Sequence, residues 1–194
     1  HRVEFAVCDS AGRLALASAA PDLVTTFRSA AKPFQLLPLV ERGHAERWGW
    51  SDETLAVMAA SHTGSPYHVR LVTEILERLE LSERDLACGY HEPADSESRR
   101  LLRKNPELRT GLYNNCSGKH AGMLCLARSE GWSIAGYERA DHPLQVLMRR
   151  TVAELAELPV DRVPIGVDGC SVSVFGLPLS GMARAYARLA AATE

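Results

Sequence analysis

Strand-like patterning is confined to the two ends of this chain, and nearly everything between them reads as helix. At the start, Val3, Phe5 and Val7 alternate with polar residues; a turn-forming run, Asp9-Ser10-Ala11-Gly12, follows, and Leu14 and Leu16 resume the alternation. Residues 2–18 are therefore predicted to form a β-hairpin, with a short strand at 24–27 after it. Near the other end, residues 163–167 read as a buried strand running into Asp168-Gly169-Cys170, and 172–175 continue as strand. Strands this few do not alternate with helices as a doubly wound parallel sheet requires. The predicted class is a mixed α+β layered domain.

The helices between carry clear punctuation. Pro33 pushes the residue before it out of helical geometry, so a regular helix is expected from Pro33 toward Val40, with Ser29 to Lys32 as a tighter turn and Gly43 as its end. Ser51-Asp52-Glu53 signals a helix running to about Ala60, and Ser65-Pro66 opens another with Val72, Ile75, Leu76 and Leu79 on one face. Further helices are expected at 94–104, charged and exposed, and at 117–129, stopped by Gly131. Another starts at Asp141 and Pro143, with Leu144, Leu147, Met148, Thr151, Val152 and Leu155 at helical spacing, and an Ala-rich one closes the chain at 178–192. Repeats and low-complexity linkers are lacking, and 194 residues suit one domain.

Bulk properties exclude several functions. A net charge of −2 gives no electrostatic footprint for nucleic acid or an anionic membrane. No apolar run approaches the roughly 20 residues that span a bilayer. Five scattered cysteines with no CxxC pair point to reduced thiols in the cytoplasm. The chain opens on His1 rather than Met, so a leader or first residues are expected to lie outside it.

Chemistry concentrates in Asn114-Asn115-Cys116-Ser117-Gly118-Lys119-His120-Ala121-Gly122-Met123. A thiol, a hydroxyl, an amine and an imidazole crowd a helix start, and Gly118 and Gly122 are expected to let backbone and ligand approach. A second string, Arg28-Ser29-Ala30-Ala31-Lys32, sets a hydroxyl and an amine on one face of a turn. A neutral Lys32 amine can take the Ser29 proton. Only about 0.04% of an ordinary lysine is neutral at pH 7, so burial or a cationic neighbour must lower its pKa by roughly 3 units, about 4 kcal/mol. The plainer reading is a serine cap followed by a solvated lysine, but Lys32 lies among apolar neighbours. Ser61, beside His62, is either a helix cap or a proton relay. Cys116 and Lys119 repeat the Ser29–Lys32 spacing with sulfur, a pattern of a reactive or metal-binding thiol. Should Cys170 meet Cys116, the two thiolates can bind a borderline cation such as zinc; a disulfide or simple packing are the alternatives. Asp168, before a glycine at a strand end, suits a substrate amine or a plain turn. Cys8, Cys88 and Cys125 read as packing.

Taken in order, R-S-A-A-K-P-F-Q (28–35), A-S-H-T-G (60–64), C-G-Y-H-E-P (88–93), N-N-C-S-G-K-H-A-G-M-L (114–124) and G-V-D-G-C (166–170) resemble the bacterial L-asparaginase II family, the rhizobial-type, inducible, zinc-containing group. The resemblance implies hydrolysis of L-asparagine to L-aspartate and ammonia, on a fold similar to serine β-lactamases and penicillin-binding proteins, a sheet flanked by helices. It implies Ser29 as nucleophile, Lys32 as base, Ser61 as the second catalytic serine and Asp168 as a substrate-binding carboxylate. It also implies zinc held by Cys116, Lys119 and Cys170, and a homodimer. Family members continue past this chain's end, so residues 1–194 are expected to be a single amidohydrolase domain lacking a C-terminal part. Ser65, Tyr113 and Ser171-Val172-Ser173 depart from the family pattern. Two rival readings remain: an amidase using Cys116 as nucleophile, and a non-catalytic zinc-binding domain.

Overall fold

Two small antiparallel sheets and eight α-helices make up residues 3–192, the part described by the computed structural model. Strands β1 (Ala6–Cys8) and β2 (Leu14–Ala17) pair as the expected hairpin, with Val7 opposite Leu16. Its turn is held by Asp9, whose Oδ1 accepts from the backbone of Ala11 and Arg13. Residue 2 of the expected hairpin lies outside the described residues. The second sheet has the order β3 (Val24–Thr26), β5 (Ser173–Pro178), β4 (Ile165–Val167), with β5 in the centre and antiparallel to both neighbours. The architecture is α+β, as the ends of the sequence indicate.

One expectation is corrected here. The 163–167 run is not a buried strand: Val163 is buried, but β4 is exposed along its whole length, Val167 to 79%. An edge strand of a three-stranded sheet has no neighbour beyond it, and continuous apolar character alone cannot tell an edge from a centre. The buried position belongs to β5.

The helices are α1 (Lys32–Glu41), α2 (His44–Trp48), α3 (Asp52–Ala59), α4 (Pro66–Arg78), α5 (Ser96–Lys104), α6 (Ser117–Ser129), α7 (Pro143–Leu155) and α8 (Leu179–Ala191). Most ends follow the expected signals, but α1 begins at Lys32, which keeps helical backbone at φ −58° and ψ −43° although a proline follows it: Pro33 lies in the first turn, where its missing N–H costs nothing. Gly43 and Gly131 take left-handed backbone beyond α1 and α6. Ser51 and Ser65 accept backbone N–H groups at the starts of α3 and α4. The start of α7 differs, since His142, not Asp141, is its cap and accepts from the Leu144 N–H. Replacing Ser51 with alanine strands one of the first N–H groups of α3, and about 1 kcal/mol of stability should be lost in urea denaturation.

Helix α6 sits at the centre, packed against α1, α3, α4 and α7, and every residue from Ser117 to Ala127 is buried. A helix buried all round is expected to be apolar all round. This one carries Ser117, Lys119 and His120 at its start, so those groups must find partners inside the protein. Its close approach to α3 explains the two glycines differently from the expectation that they admit a ligand. A Cβ on Gly118 would lie 2.1 Å from the Val57 carbonyl oxygen, and one on Gly122 would press on the Met58 side chain. They admit a neighbouring helix.

Candidate active site

A 3-10 turn, Arg28–Ala31, leads from β3 into α1 and holds Ser29 at the surface. Its shape is set from below. The Phe27 N–H donates to the Phe175 carbonyl of β5, and Phe27 stacks on the buried Phe34 with ring centroids 5.3 Å apart. From the side, Tyr186 of α8 packs edge-on against both rings and donates to the Ala30 carbonyl at 2.7 Å. At the turn's first residue, Arg28, φ is +37°, a strained backbone for a side chain of this size. That conformation accompanies an ion pair in which the guanidinium donates twice to Asp168 Oδ1, at 2.9 and 3.2 Å. Among the described residues, Ser29 Oγ has no hydrogen-bond partner.

Lys32, one turn further on, points inward and is only 1% exposed. Its Nζ lies 2.6 Å from Ser61 Oγ and 3.4 Å from the carbonyls of Ala60 and Asn115. Ser29 is not among its hydrogen-bond partners. The spacing places both residues on the same stretch of chain, but burial of the long side chain carries the amine across to α3's C-terminal turn. Desolvation pulls the Lys32 pKa below its usual range, and the Cys116 side chain partly opposes that shift.

Cys116, Lys119, His120 and Cys170 meet beneath the same surface. Lys119 Nζ is 3.0 Å from Cys170 Sγ. The Cys116 side chain, together with His120 and Lys119, pulls the Cys170 thiol pKa below its usual range. Cys116 is shifted the other way, upward, by the Cys170 side chain and by burial. All five cysteines are free, so the disulfide alternative is not what brings the pair together. His120 Nδ1 contacts the Tyr137 hydroxyl at 2.5 Å, and that oxygen accepts the Ala87 N–H. The buried His120 Nε2 has no hydrogen-bond partner among the described residues. No group of three His, Cys, Asp or Glu side chains suited to a metal occurs among the described residues. Two sulfurs and one amine are nevertheless a donor set that fits a borderline cation, with Lys119 completing it.

Asp168 and Cys170 belong to one turn between β4 and β5. It is closed by the Asp168 N–H on the Val172 carbonyl and by Ser171 in left-handed backbone. Across from it, Asn114 donates to the carbonyls of Cys88 and Gly89 and accepts the Cys116 N–H, fixing the entry to α6. Between them is a polar cavity of about 190 Å³ lined by Ser29, Arg28, His91, Asn115, Cys116 and Asp168 among others. A larger hollow of about 460 Å³ runs along α5, lined by Ser96, Arg99, Arg100, Arg103 and Lys104.

The structure thus brings Lys32 to Ser61, and places Ser29, Asp168, Cys116 and Cys170 on one cavity with Lys119 just below. Arg28, His91 and Asn114 belong to the same place and went unassigned in the sequence. For Arg28 a signal existed, because it stands next to Ser29 in the first motif. His91 and Asn114 likewise stand inside quoted motifs, C-G-Y-H-E-P and N-N-C-S-G-K-H-A-G-M-L, but nothing in those strings by itself assigns them a role.

No helix among the described residues is long and apolar enough to cross a membrane. No curated protein matches the chain significantly. The family model for L-asparaginase II does match, over residues 1–194, and with it the order of motifs around this cavity has its explanation: the chain belongs to the L-asparaginase II family, whose substrate is a small molecule.

Proposed function

We propose that this protein hydrolyses L-asparagine to L-aspartate and ammonia, with Ser29 as nucleophile and Lys32 as the base that acts through Ser61. The observation that carries the reading is a buried amine 2.6 Å from a serine hydroxyl, beside a small polar cavity whose wall holds a second, unbonded serine. Family membership supplies the amide chemistry. The Ser29 oxygen attacks the side-chain amide carbon and its proton passes by way of Ser61 to Lys32. That proton then leaves on the amine, so the C–N bond breaks as ammonia and an aspartyl ester remains on Ser29. Water adds to the ester with the same base, and aspartate is released. Arg28 and Asp168 are a complementary pair for a zwitterion: the carboxylate can take the substrate's α-amino group and the guanidinium its α-carboxylate.

Zinc held by Cys116, Lys119 and Cys170 would supply a fixed positive charge beside the cavity. The Lys119 amine 3.0 Å from the Cys170 sulfur supports that assignment. Within the same reading, residues 1–194 act as one amidohydrolase domain with a fold like the serine β-lactamases, supported by an antiparallel sheet backed by helices. A cytoplasmic home is supported by five free thiols. The homodimer rests on the family resemblance alone.

A second reading makes Ser61 the nucleophile, because it is the hydroxyl that touches the amine. Cys116 is the weaker candidate, since the Cys170 side chain and burial raise its thiol pKa and so disfavour the thiolate. Acid quench during turnover, followed by peptide mapping, separates them. An aspartyl adduct on Ser29, lost together with ammonia release in Ser29→Ala, is the expected result. An adduct on Ser61 favours the second reading, and one on Cys116 overturns both.

A further inference from the structure

We infer that His62 is a positioning residue that sets the three acceptors around the Lys32 amine. The inference deepens the proposed hydrolysis and rests on it. Two of those acceptors, the Ala60 carbonyl and Ser61 Oγ, lie in the two residues before His62, and the third is the Asn115 carbonyl across the site. His62 is the tie between them. Its backbone N–H donates to that same Asn115 carbonyl at 3.2 Å, so one oxygen receives both His62 and Lys32. Its ring bridges the same gap a second time. Nδ1 accepts the Gly64 N–H, and Nε2 lies 2.9 Å from Ser117 Oγ at the start of α6.

The direction of every proton in this chain is determined. The Ser117 hydroxyl donates to the Leu112 carbonyl at 2.9 Å, so its oxygen is free to accept from Nε2–H. With Nδ1 occupied as acceptor, the ring is held as the Nε2–H tautomer. Burial keeps it neutral, lowering its pKa from 6.5 to about 4, with smaller contributions from His68 and Lys32. The ring is 7% exposed and stacks on His68, centroids 5.1 Å apart. Gly64 closes the turn in left-handed backbone, where a Cβ would meet Pro93 at 2.8 Å and the Tyr113 carbonyl at 3.0 Å. The Thr63 carbonyl accepts the Asp95 N–H, which fixes the far side of the turn. Besides the Lys32 amine itself, His62 is what, among the described residues, hydrogen-bonds residues 60–64 to the segment that leads into α6.

Each half of the imidazole can be imitated separately. The amide nitrogen of glutamine reaches where Nε2 lies, and the amide oxygen of asparagine reaches where Nδ1 lies. Ammonia release from L-asparagine by the full chain should be measured for His62→Ala, His62→Gln and His62→Asn, with Lys32→Met and Ser61→Ala as reference. Loss of the tie in His62→Ala should lower kcat about 10- to 100-fold with KM changed less than about two-fold, because a displacement near 1 Å in a reacting group costs on that order. His62→Gln should recover most of the rate, because it keeps the link to Ser117, and His62→Asn should recover less. Equal activity of His62→Ala and wild type, or a change in KM alone, overturns the inference while Lys32→Met and Ser61→Ala remain inactive. Full activity of those two reference variants instead removes the hydrolytic reading, and the inference with it. Should the alanine variant not fold, the order of the glutamine and asparagine variants decides.

Discussion

Lys32→Met should abolish ammonia release while leaving the fold as stable as before, or more so. Methionine fills nearly the volume of the lysine side chain, and the position is almost fully buried. A buried amine has already lost its water, and its pKa is depressed for that reason. Exchanging it for an apolar chain removes a desolvated polar group rather than a favourable one. The chemistry has no such indifference. Without a base, the Ser29 proton has nowhere to go, and general-base contributions are on the order of 10² to 10⁴ in rate. We therefore expect kcat to fall at least about 10³-fold with an unchanged or higher melting temperature. Activity within ten-fold of wild type would remove Lys32 from the mechanism. A loss of both activity and melting temperature would instead make it a structural residue.

Gly118→Ala should produce the largest loss of stability of any single methyl group added to this protein's core. The new Cβ would stand 2.1 Å from the Val57 carbonyl oxygen and 2.8 Å from its carbon. Those atoms are backbone of α3, so no rotamer change relieves the clash, and α6 must move away from α3 as a body. Overpacking of this kind costs about 3 kcal/mol or more, against a gain in helix propensity of about 1 kcal/mol. At 2–4 °C per kcal/mol for a chain of this size, the net cost of about 2 kcal/mol or more lowers the melting temperature by at least roughly 4–8 °C. Gly122→Ala is the internal control. Its Cβ would meet only the Met58 side chain, at 3.2 Å, and methionine can shift. A smaller or reversed effect there, with a large one at 118, places the close contact at the start of α6. Equal effects at both would mean the helices are not packed this way. Because Cys116 and Lys119 flank position 118, the variant should also disturb the thiol pair, measurable as faster alkylation of Cys170.

Acid should weaken the protein through His62. Its folded pKa, about 4, lies below the ordinary 6.5, so the folded state resists protonation. The stability contributed by the neutral ring is present above about 6.5 and is lost as pH falls from there toward 4. Urea denaturation across that window should show the decline in wild type and a flatter profile in His62→Gln. An identical slope in both would mean that other groups carry the acid sensitivity.

The elements were legible wherever their cause was local. Ser51, Ser65 and Gly131 mark helix ends through bonds and backbone angles within a few residues, and those ends lie where the signals indicate. The small helix α2 escaped notice because five residues between two left-handed glycines give no apolar period to read. The burial of β5 rather than β4 was hidden for another reason. Both runs are apolar and short, and which one lies in the middle depends on β3, about 150 residues away in sequence terms.

Sequence by itself determined the chemistry present and the secondary structure that carries it: which residues are nucleophiles, bases and thiols, and which stand at helix starts. Packing alone decided what each of them touches. Lys32 meets Ser61 across 29 residues of chain, Arg28 meets Asp168 across 140, and Gly118 receives α3 rather than a ligand. Backbone preferences act over a handful of residues. A side-chain contact between distant segments is fixed only when the whole core closes around α6, where burial obliges every polar group to find a partner.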